Sequence, residues 1–345
     1  MVRLAAALGA AAMLGACERP GDRAEPARAP GPMRIAVTIP PLAGLIRALA
    51  PADAQVTVLM TPGRSEHGYE FTPADLARLG SADLVVYIGM HLEPRVESFL
   101  NDHPSKRRVD LCLAAAAGIT DSDATSTPAG EDHDDHNHDV APGLKMVGEP
   151  GQRHDYDHQP TGDDHAADQH EGHHHGPVDP HLWLDPVLVI KAVPALEDAV
   201  QRAAANAGLN PGDVPARAAA LLTRLKALDD RYRAALAPFA GASIVTHHSA
   251  WGRLAERYNL RVAAVIREIE TGEPTPGKIA ASVDAIKDQH VAAVFVEPQF
   301  NPDAARRIAE AAGVKLRTLD PLGEGEYFEL MDRNLEQLVA GLSAK

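Results

Sequence analysis

The feature that most limits how this chain can fold is an alternation, run twice, of short apolar runs with stretches of helical periodicity. In the first half the strand candidates are 34–38, 55–60, 84–88 and 108–112, with helices at about 42–50, 73–79 and 92–100. In the second half strands are expected at 243–246, 261–266, 292–296 and 315–319, with helices at about 250–258, 276–289, 302–312 and 326–342. Strands alternating with helices signal α/β architecture with mainly parallel sheets. Two such sets predict two similar lobes, each built on a four-stranded sheet with flanking helices.

Between the lobes Leu221, Leu225, Leu228, Tyr232, Leu236 and Phe239 recur at three- and four-residue spacing. This predicts one amphipathic helix over 215–239, about 37 Å long and rigid enough to act as a strut. An earlier helix should begin at Asp185-Pro186, an N-cap followed by proline in the first turn. Pro194 should kink or break it, because proline has no N–H for the helical ladder.

The resulting layout is an N-terminal lobe over 33–210, a linker helix within 211–240 and a C-terminal lobe over 241–345. Ahead of them, an Ala/Leu-rich run carrying only Arg3 reads as a secretory signal over 1–17. Leu14-Gly15-Ala16-Cys17 resembles a bacterial lipobox, so Cys17 is expected to carry a lipid, an ordinary cleaved signal being the alternative. Residues 18–32 read as a Pro-rich, charged tether. Cys112 then remains as the one other cysteine, expected as a small buried hydrophobe.

The formal charge of −15 is concentrated rather than spread. Between Glu131 and Glu171 stand twelve acidic residues against Lys145 and Arg153 alone. No basic patch points to nucleic acid. The segment 121–178 holds ten of the seventeen histidines and almost no apolar periodicity. Such a stretch buries too little surface to offset its ordering entropy and is expected to be a disordered, low-affinity metal collector.

Ligands of parallel α/β sheets gather at the carboxyl ends of strands. His67 and His248 each follow a predicted strand, His181 follows the acidic segment, and Asp320 ends the last strand. Three imidazoles and a carboxylate converging between the lobes would form a tetrahedral donor set suited to Zn²⁺.

These positions lie in motifs that resemble the cluster A-I metal-binding proteins of ABC importers, in particular the zinc-uptake (ZnuA-type) branch. The matching pieces include Pro40-Pro41-Leu42, Ser65-Glu66-His67 with Thr72-Pro73, and Ala82-Asp83-Leu84-Val85-Val86. They continue with His181-Leu182-Trp183-Leu184-Asp185-Pro186, His248-Ser249-Ala250-Trp251-Gly252 and Gly272-Glu273-Pro274-Thr275-Pro276. Glu297-Pro298-Gln299-Phe300 and Asp320-Pro321-Leu322-Gly323 complete the set. The resemblance implies two lobes bridged by a long helix, with metal buried between them. It implies His67, His181 and His248 as ligands, Asp320 as the fourth, and Glu66 or a water as the alternative fourth. His247 competes with His248 through a one-residue shift; the family spacing of His, one residue, Ala, aromatic selects His248. Manganese-binding relatives carry glutamate at that third position, so His248 favours zinc as cargo over manganese. Some zinc-branch relatives have a disulfide in the second lobe, for which this chain has no cysteine.

The function implied is capture of extracytoplasmic Zn²⁺ by a monomer and its delivery to an inner-membrane ABC permease, from the periplasm or cell envelope. A manganese or iron carrier of the same family is the alternative. A zinc hydrolase is the rival class, but no His-Glu-x-x-His or Gly-x-Ser-x-Gly motif occurs, and Glu66 is the one plausible base. The chain is therefore expected not to be an enzyme. His103 and His290 are expected at the surface, His91 at the cleft edge, and Trp183 and Trp251 in the walls of the metal site.

Overall fold

A computed structural model describes residues 31–61, 63–119, 179–267 and 274–343. The signal and lipobox over 1–17, nearly all of the tether and the His-rich segment 121–178 lie outside them.

The first half forms strands β1 (Arg34–Val37), β2 (Gln55–Val58), β3 (Leu84–Tyr87) and β4 (Val109–Cys112). Helices α1 (Pro40–Arg47), α2 (Pro73–Ser81) and α3 (Pro94–Asp102) connect them, and a short α4 (Leu113–Ala116) follows β4. All pairings are parallel, in the order β2-β1-β3-β4. The second half repeats this with β5 (Ser243–Thr246), β6 (Arg261–Val265), β7 (Ala293–Val296) and β8 (Lys315–Thr318), in the order β6-β5-β7-β8. Its helices are α7 (Gly252–Arg257), α8 (Pro276–Asp288), α9 (Asp303–Ala312) and α10 (Tyr327–Leu342).

Local sequence accounts for these boundaries. Val, with Leu, Tyr, Ala and Phe, fills the central strands β3 and β7, which are buried almost throughout, whereas the edge strand β2 alternates exposed and half-buried residues. Thr72 and Thr275 cap α2 and α8 by accepting backbone N–H groups, and each is followed by proline at the first helical position.

Between the two sheets run α5 (Pro186–Asn206) and α6 (Val214–Leu236). Asp185 accepts the Val187 N–H and caps α5 as expected. The break expected at Pro194 does not occur, and α5 continues through it. Pro194 lies on the exposed face, where water can solvate the carbonyl that loses its partner, while buried Val193, Leu196 and Val200 hold the opposite face. Helix α6 buries Leu221, Leu225, Leu228, Tyr232 and Leu236, and a 3₁₀ turn extends it over Ala237–Phe239.

One continuous apolar core joins the halves. It takes residues from β1, β3 and α1, from α5 and α6, and from β7 and α10. Two smaller cores cover the outer faces of the sheets. The halves approach tightly at Gly44 of α1, where a Cβ would stand 2.6 Å from the Tyr327 nitrogen and 2.8 Å from the Gly325 oxygen. Arg47 donates to the same Gly325 carbonyl at 3.3 Å.

The clash at Gly44 is with backbone, which cannot rotate away. Gly44→Ala should therefore lower stability by about 1–3 kcal/mol through overpacking, read as a shift of the urea unfolding midpoint. An unshifted midpoint would show that the two halves are not held together at this point.

Candidate metal centre

The ligand-bearing segments reach one place from three directions. The loop after β2 carries Glu66 and His67, the segment before α5 carries His181, and the residues after β5 carry His248. Each of these four residues is buried, and their ligand atoms all lie within 4.8 Å of one another. It is the one such group among the described residues.

The donors are turned inward. His67 Nε2 stands 2.9 Å from His181 Nε2, and His248 Nε2 stands 3.2 Å from the same atom. Glu66 Oε1 lies 3.4 Å from His181 Nε2 and 3.5 Å from His248 Nε2. Ring centroids are 4.9, 5.1 and 5.2 Å apart with interplanar angles of 69–82°, so the three imidazoles form a near-equilateral, edge-on triangle. Tetrahedral donors about 2.0–2.1 Å from a zinc ion stand about 3.3 Å apart. The four distances above are within a few tenths of an ångström of that, and the group as a whole lies within 4.8 Å.

Carboxylates behind two of the rings fix their tautomers. His181 Nδ1–H donates to Asp179 Oδ1 at 2.7 Å, and His248 Nδ1–H donates to Glu297 Oε1 at 2.5 Å. Each ring then presents an Nε2 lone pair to the centre. Burial works against charge on His248, but Glu297 and Glu66 overcome it and hold its pKa well above the ordinary histidine value. His181 is raised against burial by Asp179 and Glu66. Burial favours neutral Glu66, yet hydrogen bonds from His181 and His248 keep its carboxyl well below the usual range.

The second half anchors the His181 segment. Arg253 donates to the Asp179 carbonyl at 2.7 Å, and Arg257 pairs with Asp185 at 2.7 Å. Trp183 Nε1 donates to the Pro321 carbonyl at 2.7 Å, and the Tyr327 hydroxyl donates to the Trp183 carbonyl at 2.9 Å. His181 thus precedes α6 in sequence but is held from the far side. Trp183, with its ring 5.2 Å from that of His181, does form a wall of the site.

Asp320, the expected fourth member, is not brought into the group. Its Oδ1 accepts the Leu322 and Gly323 N–H groups, each at 3.0 Å, so the carboxylate caps its own turn, and Glu66 occupies the fourth corner. His247 is also outside the group. Its ring stacks on Phe300 at 4.5 Å and 5°, and burial, with Arg267 and His248 nearby, depresses its pKa to about 4. His91, His103 and His290 are exposed and take no part. Cys112 is only partly buried, its thiol donating to the Ile88 carbonyl at 3.2 Å. The motifs left Asp179 and Glu297 without a role. The available signal was position: Glu297 directly follows β7 as His248 nearly follows β5.

Two parallel α/β lobes enclosing a buried three-histidine, one-carboxylate cluster define a two-lobed binding protein with a metal-type centre. The family model for the zinc-uptake complex component A, periplasmic, matches residues 35–341, and the chain belongs to that family. The high-affinity zinc uptake system protein ZnuA of Yersinia pestis is 27% identical over 297 residues, covering 84% of this chain and 83% of that protein. The zinc-binding lipoprotein AdcA of Streptococcus pneumoniae serotype 4 is 28% identical over 322 residues, covering 90% of this chain. This chain spans only about half, 56%, of the AdcA proteins. The fold matches a crystal structure of ZnuA with a TM-score of 0.64 at 23% identity, covering 90% of this chain and 99% of that one. It matches the periplasmic zinc-binding protein TroA from Treponema pallidum with a TM-score of 0.66 at 20% identity, covering 91% of this chain and 100% of that one.

The raised pKa values of His181 and His248 have a sign that can be tested. In the metal-free protein their charged forms stabilise the fold fully below the unfolded value of about 6.5, and that contribution fades as pH rises through the raised folded values. Histidine NMR titrations of the metal-free chain should show both rings titrating above 6.5 and His247 at about 4. Three coincident midpoints near 6.5 would contradict the geometry.

Proposed function

We propose that this chain captures one Zn²⁺ ion outside the cytoplasm and delivers it to an ABC permease, with Glu66, His67, His181 and His248 as the four ligands. The observation that carries the reading is the meeting of three Nε2 atoms and one carboxylate oxygen in a buried group. Neutral nitrogen donors suit zinc better than manganese, which prefers oxygen. Four protein donors also leave no open coordination position, which a catalytic zinc would need. The names of the ZnuA and AdcA relatives support the same cargo.

The donors must lose protons to bind metal, and His181 and His248 hold theirs more tightly than free imidazole does. Zinc capture is therefore a proton exchange, and acidification opposes it. Burial of all four donors means that loading and release require the ligand-bearing segments to part. The lobe layout given above, with 33–210 and 241–345 joined through 211–240, is the frame for that motion. We further propose that Cys17 is lipidated, tethering a monomer to the membrane through 18–32. The His-rich segment 121–178 would collect zinc weakly and raise its concentration near the cleft.

Competition titration with a chromogenic chelator tests the ligand set. Deleting 121–178 should leave one tight zinc site, since all four proposed ligands lie outside it; loss of that site would mean the segment supplies a ligand. Glu66→Gln should weaken zinc at least tenfold, the lower end of the loss typical for disturbed metal sites, about 10–100-fold. Asp320→Asn, which keeps its turn acceptor, should change little. The reverse result would return the fourth position to Asp320. His248→Glu should weaken zinc and narrow its preference over manganese, whereas His247→Glu should leave that preference intact.

A further inference from the structure

Glu297 is almost wholly buried, at 1% exposure. A buried carboxylate costs several kcal/mol unless it is compensated, and this one has few compensations. Its Oε1 accepts His248 Nδ1–H at 2.5 Å, while Oε2 has no hydrogen-bond partner among the described residues. Glu93, the buried carboxylate in the first half, contrasts with it. Glu93 accepts the Thr38 hydroxyl at 2.6 Å and the Ile88 and Gly89 N–H groups at 3.0 Å, so it ties the end of β1 to the turn after β3. Glu297 performs no such service. The contact that distinguishes it is the one to a proposed ligand.

Its placement suits that contact. Glu297 leaves the end of β7, and His248 lies just past the end of the adjacent strand β5. The turn that follows is closed by the Phe300 N–H donating to the Glu297 carbonyl at 3.2 Å. Phe300 stacks on His247 and meets His248 edge-on at 6.1 Å. The turn at Glu297 thus carries a ring that packs on the His247-His248 segment.

We propose that Glu297 is a positioning residue that fixes His248 as an Nε2 donor and sets the strength of the metal site. Accepting the Nδ1 hydrogen leaves the Nε2 lone pair facing Glu66 and His181, and the negative charge makes that lone pair a better donor. Without it, the ring is free to flip or to take the other tautomer, which would present N–H to the cation. Asp179 makes the parallel contact to His181, but its Oδ1 also accepts the His181 backbone N–H at 2.9 Å. Removing Asp179 would therefore disturb the chain as well as the ring, which makes Glu297 the cleaner probe.

This inference rests on reading the cluster as a zinc site, and the test separates the two. Native full-length chain, Glu297→Gln, Glu297→Ala and His248→Ala are stripped of metal and titrated with zinc against a chelator, and with Co²⁺ for its visible spectrum. Glu297→Ala should lose about 10–100-fold in zinc affinity and shift its cobalt bands. Glu297→Gln keeps an acceptor but no charge and should fall between Ala and native. Native affinity in Glu297→Ala overturns the proposal, and so does weakened zinc with cobalt bands unchanged, since the ring would then be held without it. If Glu297→Ala does not fold, Glu297→Gln carries the test, and native affinity with native bands overturns the proposal there. Tight zinc binding retained in His248→Ala would instead overturn the underlying site, whatever Glu297 does.

Discussion

The arrangement depends on three imidazole nitrogens held at hydrogen-bond distance in a space that excludes water. Two of the three pairs of Nε2 atoms are 2.9 and 3.2 Å apart. With their lone pairs turned to one another such atoms repel, and only a proton or a cation between them makes the contact favourable. Glu66 adds an anion to the same space and strengthens the demand for positive charge. Nothing local would keep these groups together. They stay because the segments bearing them are fixed by a core that runs without interruption from the first sheet through α5 and α6 to the second.

That core divides the donors unevenly. The His181 segment precedes α5, yet Arg253, Arg257, Pro321 and Tyr327 of the second half grip it. Against this, Ser65 makes local contacts at the Glu66-His67 loop, its hydroxyl accepting the His67 N–H at 3.3 Å. The His181 segment is therefore held from both halves, because it leads directly into α5, which packs on β3, β4 and α4 of the first half.

Much of this was legible in the sequence because the strands obey their own pattern. β5 runs over the expected residues, and the other strands fall within one or two residues of expectation. His67 and His248 were legible because they follow strands, and strand ends of a parallel sheet are where such sheets bind; His181 was legible only from its motif ahead of α5. The fourth member of the cluster was harder to read, because Asp320 and Glu66 both sit in loops near the ends of strands. Asp320-Pro321-Leu322-Gly323 does carry turn chemistry, an aspartate ahead of proline and glycine, and its Oδ1 accepts two N–H groups of its own turn. Pro194 does not break α5. On an exposed helix face water can solvate the carbonyl that lacks an N–H, which lessens one part of proline's penalty. Asp179 and Glu297 escaped notice because they act through other side chains, and no spacing in the sequence marks which carboxylate will stand behind which imidazole.

The repeated topology makes that last point sharper. In both halves the chain reverses direction of growth beside the central strand, between β1 and β3 and again between β5 and β7. Each half places a buried glutamate at this switch, Glu93 in the first and Glu297 in the second. Glu93 meets a hydroxyl and two backbone N–H groups, and burial still pushes its pKa up to about 7. Its proton can be kept, so the first half gains a neutral staple. Glu297 meets an imidazole, a base able to carry the balancing charge itself. The switch thus sets a buried glutamate against Thr38 and two backbone N–H groups in one half, and against the His248 ring in the other.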